Sequence, residues 1–187
     1  MQPHSNFSLP TKRLIIRSWR NTDRDPYASI NADPEVREFL GKTMTRTQSD
    51  AQISVFEKHE RAHGYTFWAV ELPNVAVCIG FVGLQNTDYS AHFTPAIEIG
   101  WRLGRNYWGQ GYATEAADAV LKFGFERLGL DEIVAVTVPD NVRSQSVMTK
   151  LGMTYSPSDD FDHPDEAPSH PLQRSVLYRM RKVIATA

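Results

Sequence analysis

The chain has a single cysteine among its 187 residues, and one thiol cannot close an internal disulfide. Cys78 lies in the apolar run "VAVCIGFVGL", where it reads as a small buried hydrophobe, and a reducing, cytoplasmic location is the expectation. Long hydrophobic stretches are absent. No run approaches the roughly 20 residues that span a bilayer, and "MQPHSNFSLP" has no apolar core of a signal peptide. No membrane partner is expected, and residues 1–10 are read as a flexible leader to one domain over 11–187. Charge of one sign is not in excess either: 20 Lys and Arg against 22 Asp and Glu leave a formal net charge of -2. That balance gives no electrostatic case for nucleic acid. The motif G-x-x-x-x-G-K-[ST] does not occur, which counts against a nucleotide site. The histidines of "DFDHPDEAPSHP" lack ligand spacing such as H-x-x-x-H on a regular element, so no metal is expected.

A hydrophobic content of 41% with 22% charged residues is the profile of one globular domain with a real core. The β-branched "RLIIRSW" suits a first strand. "DPYASINADPEVREFL" reads as two short helical turns, each opened by an Asp-Pro pair with Pro26 and Pro34 at first helical positions. Thr47 and Asp50 resemble a capping box for a helix over about 48–63, which Gly64 would end. "TFWAVEL", "VAVCIGFVGL" and "AIEIGWRL" then read as an antiparallel meander, turned first at Pro73-Asn74. From Tyr112 to Leu128 apolar residues recur at helical spacing, with Asp118 and Lys122 as an outer i,i+4 pair. "EIVAVTV" is a strand, Asn141 can cap a helix to Leu151, and "RSVLYRMRKV" suggests a closing strand after a Pro- and Asp-rich loop over 156–171.

The stretch "YWGQGYATEA" joins a strand to the main helix. Glycines at such a turn leave backbone N–H groups free at the helix N-terminus, where the dipole favours an anion. A nucleotide phosphate, the pyrophosphate of coenzyme A, or no ligand at all are the competing readings. The stretch is not G-x-G-x-x-G, since Thr114 stands where the last glycine belongs, so the dinucleotide reading weakens.

"EIGWRLGRNYWGQGYATEA" followed by "PDNVRSQSVMTKLGM" resembles the motifs of the GNAT superfamily of N-acetyltransferases, in particular the branch of the ribosomal-protein N-terminal acetyltransferases. The likeness spans roughly residues 11–183. Gly111-Tyr112-Ala113 match the end of the family's [Gln/Arg]-x-x-Gly-x-[Gly/Ala] loop, while Trp108 stands in the Gln/Arg place. The resemblance implies an α/β (α+β) fold: a mixed, mostly antiparallel sheet of six to seven strands, about four helices, and splayed central strands, here "AIEIGWRL" and "EIVAVTV". It implies acetyl-CoA as donor, its pantetheine arm held in the splay like an added strand. Trp101, Leu103, Trp108, Gly109, Gln110, Gly111, Tyr112, Ala113, Thr114, Asn141 and Ser144 are the implied contacts.

Acetyl transfer to an amine needs a neutral nucleophile, a polarised thioester carbonyl and a proton for the leaving thiolate. Glu98, a charge inside an apolar strand, stands where relatives carry a base, although an outward-facing charge would read the same way. Ser144 is the candidate acid and Asn141 its neighbour, with Tyr155 and Tyr178 as rival acids and plain helix capping as the alternative for Asn141. A backbone N–H near Trp101 would polarise the carbonyl. An α-amine, with a pKa near about 8, is neutral in roughly a tenth of molecules at pH 7, far more often than a lysine. The loop over 156–171, with Asp159, Asp160, Asp162, Asp165 and Glu166, is expected to form a carboxylate-rich rim that draws in a cationic amine. Asp160, Phe161 and His163 are its candidate acceptor contacts. The expected partner is a peptide or small-molecule amine, bound by a monomer or homodimer. A non-catalytic acyl-CoA sensor of the same fold is the alternative.

Overall fold

The computed structural model describes residues 7–182. Its strands are β1 Ser8–Pro10, β2 Ile15–Arg17, β3 Phe67–Leu72, β4 Ala76–Thr87, β5 Ala96–Leu103, β6 Glu132–Thr137, β7 Thr154–Tyr155, β8 Phe161–Asp162 and β9 Arg174–Arg181. The α-helices are α1 Arg24–Ala32, α2 Pro34–Arg37, α3 Arg46–His63, α4 Tyr112–Glu126 and α5 Val142–Lys150. The sheet order is β1-β2-β3-β4-β5-β6-β9-β7, with β8 beside β9. Every pairing is antiparallel except β5 with β6. The class is the expected one, with more pieces. The extra strands are the two- and three-residue β1, β7 and β8, and α2 is a separate single turn.

Three boundaries differ from the sequence reading, each for a local reason. Ser8–Pro10 of the expected leader pairs with β2, and Phe7 stacks on Trp68 at 4.0 Å, because an apolar residue beside an open strand edge finds a partner there; residues 1–6 lie outside the described residues. Helix α3 is capped by Thr45, whose hydroxyl accepts the Gln48 N–H while the Gln48 side chain accepts the Thr45 N–H at 2.8 Å. Gln is one methylene longer than Asp and closes the box that Thr47 and Asp50 were expected to form. Asp50 instead pairs with Arg46 at 2.9 Å. Pro26 sits third in α1, which starts at Arg24 after a 3₁₀ turn; its missing N–H is harmless anywhere in that first turn. Pro34 does open α2, capped by Asp33.

The sheet has a core on each face, divided by the period-2 alternation of its strands. Trp68 and Val70 of β3, with Ile99 and Leu103 of β5, pack under Ala116, Ala117, Val120 and Leu121 of α4. On the other face Ala69, Cys78 and Phe81 meet Tyr27 of α1 and Ile53 and Phe56 of α3. The second core is fastened by a buried ion pair. The guanidinium of Arg17, 2% exposed, donates to both oxygens of Asp23, 0% exposed, at 2.7 and 2.8 Å, and to Glu71 at 2.6 Å. Burial works against the Arg17 charge, but these carboxylates hold its pKa above the ordinary value. Asp23→Asn strips the charge from one side of this buried pair and is expected to cost about 3 kcal/mol in urea unfolding. A loss under about 1 kcal/mol would mean that Glu71 alone can hold Arg17.

Candidate active site

Strands β5 and β6 lie side by side in the sheet yet pair at one register position, Glu98 with Val134. Beyond it they diverge. A cleft of about 580 Å³ opens between them, lined by Trp101 and Leu103 of β5, Val136 and Thr137 of β6, and the starts of α4 and α5. The divergence leaves inward-facing backbone groups of both strands without a strand partner, as the sequence resemblance implied.

At the far end of the cleft, Gly109 and Gly111 adopt φ of 72° and 78°. Both angles lie in the left-handed region that glycine enters without strain. Gly111 is the N-cap of α4 and supplies no side-chain cap. By contrast α2, α3 and α5 are capped by Asp33, Thr45 and Asn141. The first N–H groups of α4 therefore face the cleft unclaimed by a cap, with the positive end of the helix dipole behind them. This helix start is clamped from the side. Glu115 accepts from Thr11 Oγ1 and Arg13 Nε, each at 2.6 Å, and Arg13 Nη1 donates to the Gln110 carbonyl at 2.9 Å. Burial alone would raise the Glu115 carboxyl, but the bonds from Thr11 and Arg13 hold it below the usual carboxylate value. Trp108 braces the loop by donating from Nε1 to the Leu103 carbonyl at 2.8 Å, and Arg143 lies 4.5 Å over its ring.

Glu98 lines the cleft at the fork itself. Burial pushes its carboxyl from 4.5 up to about 7, opposed by hydrogen bonds from the Thr87 hydroxyl, at 3.0 Å, and the Val136 backbone. Across the cleft Asn141 accepts the Ser144 N–H at 3.2 Å and donates to Thr137 Oγ1 at 2.9 Å. Its capping role is thus real, and Ser144 stands beside it on the cleft wall.

Of the residues singled out from sequence, Trp101, Leu103, Trp108, Gly109, Gly111, Tyr112, Ala113, Thr114, Asn141, Ser144 and Glu98 line this cleft. Gln110 does not: its side chain turns back to the Asn106 carbonyl at 2.8 Å. The rival acids do not line it either. Tyr178 is buried and bonds Gln145 at 3.3 Å, and Tyr155 reaches Asp160 at 3.2 Å. In the acidic rim, β9 supplies arginines to three of the carboxylates. Asp159 pairs with Arg179 at 2.7 Å, Asp160 and Asp162 face Arg174 at 3.8 and 3.3 Å, and Glu166 faces His170 at 3.0 Å. Phe161, 8% exposed, packs on Val134 and Leu177, and the His163 ring sits 4.4 Å from that of Tyr89. Neither they nor Asp160 line the cleft. Among the described residues no group of three His, Cys, Asp or Glu could hold a metal, and no helix is long and apolar enough to cross a membrane. Missed from sequence were Val36, Phe39 and Leu40 of the α2 region and Arg102 of β5, all on the cleft wall. A signal for Arg102 existed: it interrupts the same apolar strand as Glu98, four residues on.

The site is thus an open fork in a mixed sheet, running to a helix N-terminus without a side-chain cap. Residues 13–154 match the family model of the acetyltransferase (GNAT) domain, and the chain belongs to that family; the protein is an acetyltransferase. The N-acetyltransferase YnaD of Bacillus subtilis (strain 168), itself uncharacterized, is 31% identical over 145 residues, 78% of this chain and 81% of that protein. The FsC-acetyl coenzyme A-N(2)-transacetylase of Aspergillus fumigatus is 28% identical over 161 residues, 79% of this chain and 65% of that protein. Among solved structures, an acetyltransferase from Agrobacterium tumefaciens superposes with a TM-score of 0.75 at 25% identity, covering 97% of this chain and 98% of its own. The ribosomal L7/L12 α-N-protein acetyltransferase RimL, solved in complex with coenzyme A, shares the fold at a TM-score of 0.76 and 14% identity, covering 94% and 98%.

The raised pKa of Glu98 has a measurable sign. In the unfolded chain the carboxyl ionises near 4.5, whereas the folded protein keeps the proton until about 7. Stability is therefore lost as pH rises through that window. Glu98→Gln removes the penalty, so urea unfolding should show the variant gaining about 1–3 kcal/mol on the parent between pH 5 and pH 8. A difference independent of pH would mean that the carboxyl titrates as it does in water.

Proposed function

We propose that the protein is a single-domain N-acetyltransferase that moves the acetyl group of acetyl-CoA directly to a primary amine, on a protein N-terminus or a small molecule. The observation that carries this reading is the single-register fork at Glu98 and Val134, opening toward the uncapped start of α4. The residues present suit the donor. Backbone amides at the start of α4 would bind its pyrophosphate, and the inner edges of β5 and β6, which lack a strand partner past Glu98 and Val134, would take the amides of its pantetheine arm. When bound, acetyl-CoA supplies a thioester whose carbonyl carbon accepts the amine and whose sulfur leaves.

Each remaining demand falls on a residue of the cleft. Glu98, ionised in about half of molecules near pH 7, takes the proton of the incoming ammonium. A backbone N–H of β5 near Trp101 polarises the carbonyl, and Ser144 passes the proton at Oγ to the leaving thiolate and regains one from the nitrogen as it becomes an amide. The N–C bond forms as the C–S bond breaks, and no residue is acylated on the way. Cys78 supports that direct route, because burial pushes its thiol up to about 12 and it lies outside the cleft wall. A buried free thiol also suits a reducing, cytoplasmic location.

The donor site and the acid are tested separately. Gly111→Val places a branched side chain at the helix start and is expected to weaken acetyl-CoA binding at least about tenfold by calorimetry while circular dichroism stays that of the parent. Ser144→Ala should lower kcat about tenfold or more, with KM for acetyl-CoA moving less than about twofold. Parental affinity in a folded Gly111→Val would remove the helix start from the donor site. Matched losses in kcat and affinity for Ser144→Ala would make Ser144 a donor contact instead of an acid.

A further inference from the structure

The cleft wall carries a cation that acetyl transfer does not use. On β5, Ile99 and Leu103 face the core under α4, so Glu98, Gly100 and Arg102 share the opposite face. Arg102 lies on the cleft wall and is 9% exposed. Its hydrogen bonds all leave through Nη1, to Asn31 Oδ1 at 2.7 Å, Gln52 Oε1 at 3.0 Å and the Tyr27 hydroxyl at 3.2 Å. All three acceptors are uncharged, and the buried Nε has no partner among the described residues. Arg17 shows what this fold does elsewhere with a buried guanidinium: it supplies Asp23 and Glu71.

The surroundings of Arg102 are short of negative charge. Burial lowers its pKa. Neighbouring Arg37 is likewise lowered, to about 10, by burial first and then by the charge of Arg102. Two carboxylates line the cleft. Glu35 is engaged by Arg105, and Glu98 sheds much of its charge near neutral pH. A buried cation without a counter-charge is costly, and an anion from outside would relieve it.

Resting on the acetyltransferase reading, we propose that the acceptor is an amine that also bears a carboxylate, gripped by Arg102 while its amine is presented to Glu98. The two residues stand four apart on one strand face, about 13 Å between backbone positions. That span suits a carboxylate set several bonds from the amine, as in a peptide with an acidic second residue. Gly100 between them makes room for the Phe67 ring, which a Cβ there would meet at 2.8 Å and which lines the cleft, so an acceptor reaching from Glu98 to Arg102 would pass over that ring.

Matched acceptors differing only as carboxylate or carboxamide test this: Ser-Glu amide against Ser-Gln amide, and γ-aminobutyrate against γ-aminobutyramide, each followed by CoA release. The parent is expected to favour at least one carboxylate member by about tenfold or more in kcat/KM. Arg102→Met should bring that ratio close to one, and Arg102→Lys should keep part of it. A bracing role between α1 and α3 would lower both members of a pair together and leave the ratio intact, which would overturn the proposal. So would a parent ratio near one in every pair, a result that needs no variant to fold and leaves acetyl transfer standing. Acetyl-CoA binding without acetylation of any amine would overturn the transferase reading together with this one.

Discussion

The site depends on two parallel strands that meet only once. β5 is held along eight register positions by β4, and β6 along six by β9, so neither can swing across to zip the gap that opens after Glu98 and Val134. Backbone N–H and C=O groups left inside such a gap need partners as much as any others do. An extended guest carrying its own amides satisfies them in the way a further strand would. The crossover from β5 to β6 runs through α4, which places a helix N-terminus at the mouth of the same gap. Open amide edge and open helix start thus come from one topological feature.

The polar chemistry of the cleft is set by how each charge is answered. Arg17 is buried and met by two carboxylates, and it serves the fold. Glu98 is partly buried with two hydrogen bonds and no cation, and desolvation raises its carboxyl to about 7. That value lies within about one unit of an α-amine's, so a proton can pass between them at little cost. Arg102 is buried against neutral oxygens and the Phe81 ring, with no carboxylate bonded to it among the described residues. The clamp of Glu115 by Thr11 and Arg13 ties the start of α4 to the β1–β2 turn, which fixes that helix start beside the cleft.

Much of this was legible in the sequence wherever a local rule governs. The glycine turn, the helix from Tyr112, the meander and the Asn141 cap all rest on residues close together in the chain. The Thr45 cap was missed because two overlapping boxes compete and reach decides between them. The ion pairs of the acidic loop were hidden for the opposite reason: its cations, Arg174 and Arg179, arrive from a strand that follows it, and composition cannot show a pairing made by topology. Phe161 looked like a loop aromatic because nothing local reveals that β8 joins the sheet edge and turns it toward Val134 and Leu177. Arg102 was overlooked although it bears the same mark as Glu98, a charge within an apolar strand.

Amide hydrogen exchange with and without saturating acetyl-CoA tests the fork most directly. Protection is expected to concentrate on residues 99–103 of β5 and on Tyr112, Ala113 and Thr114 at the start of α4, where the backbone would take the donor's amides and phosphates. Slowed exchange there, with the paired interior of β4 unchanged, is the outcome that a donor lying in the fork produces. Binding proven by calorimetry that leaves those amides exchanging as in the free protein would contradict it.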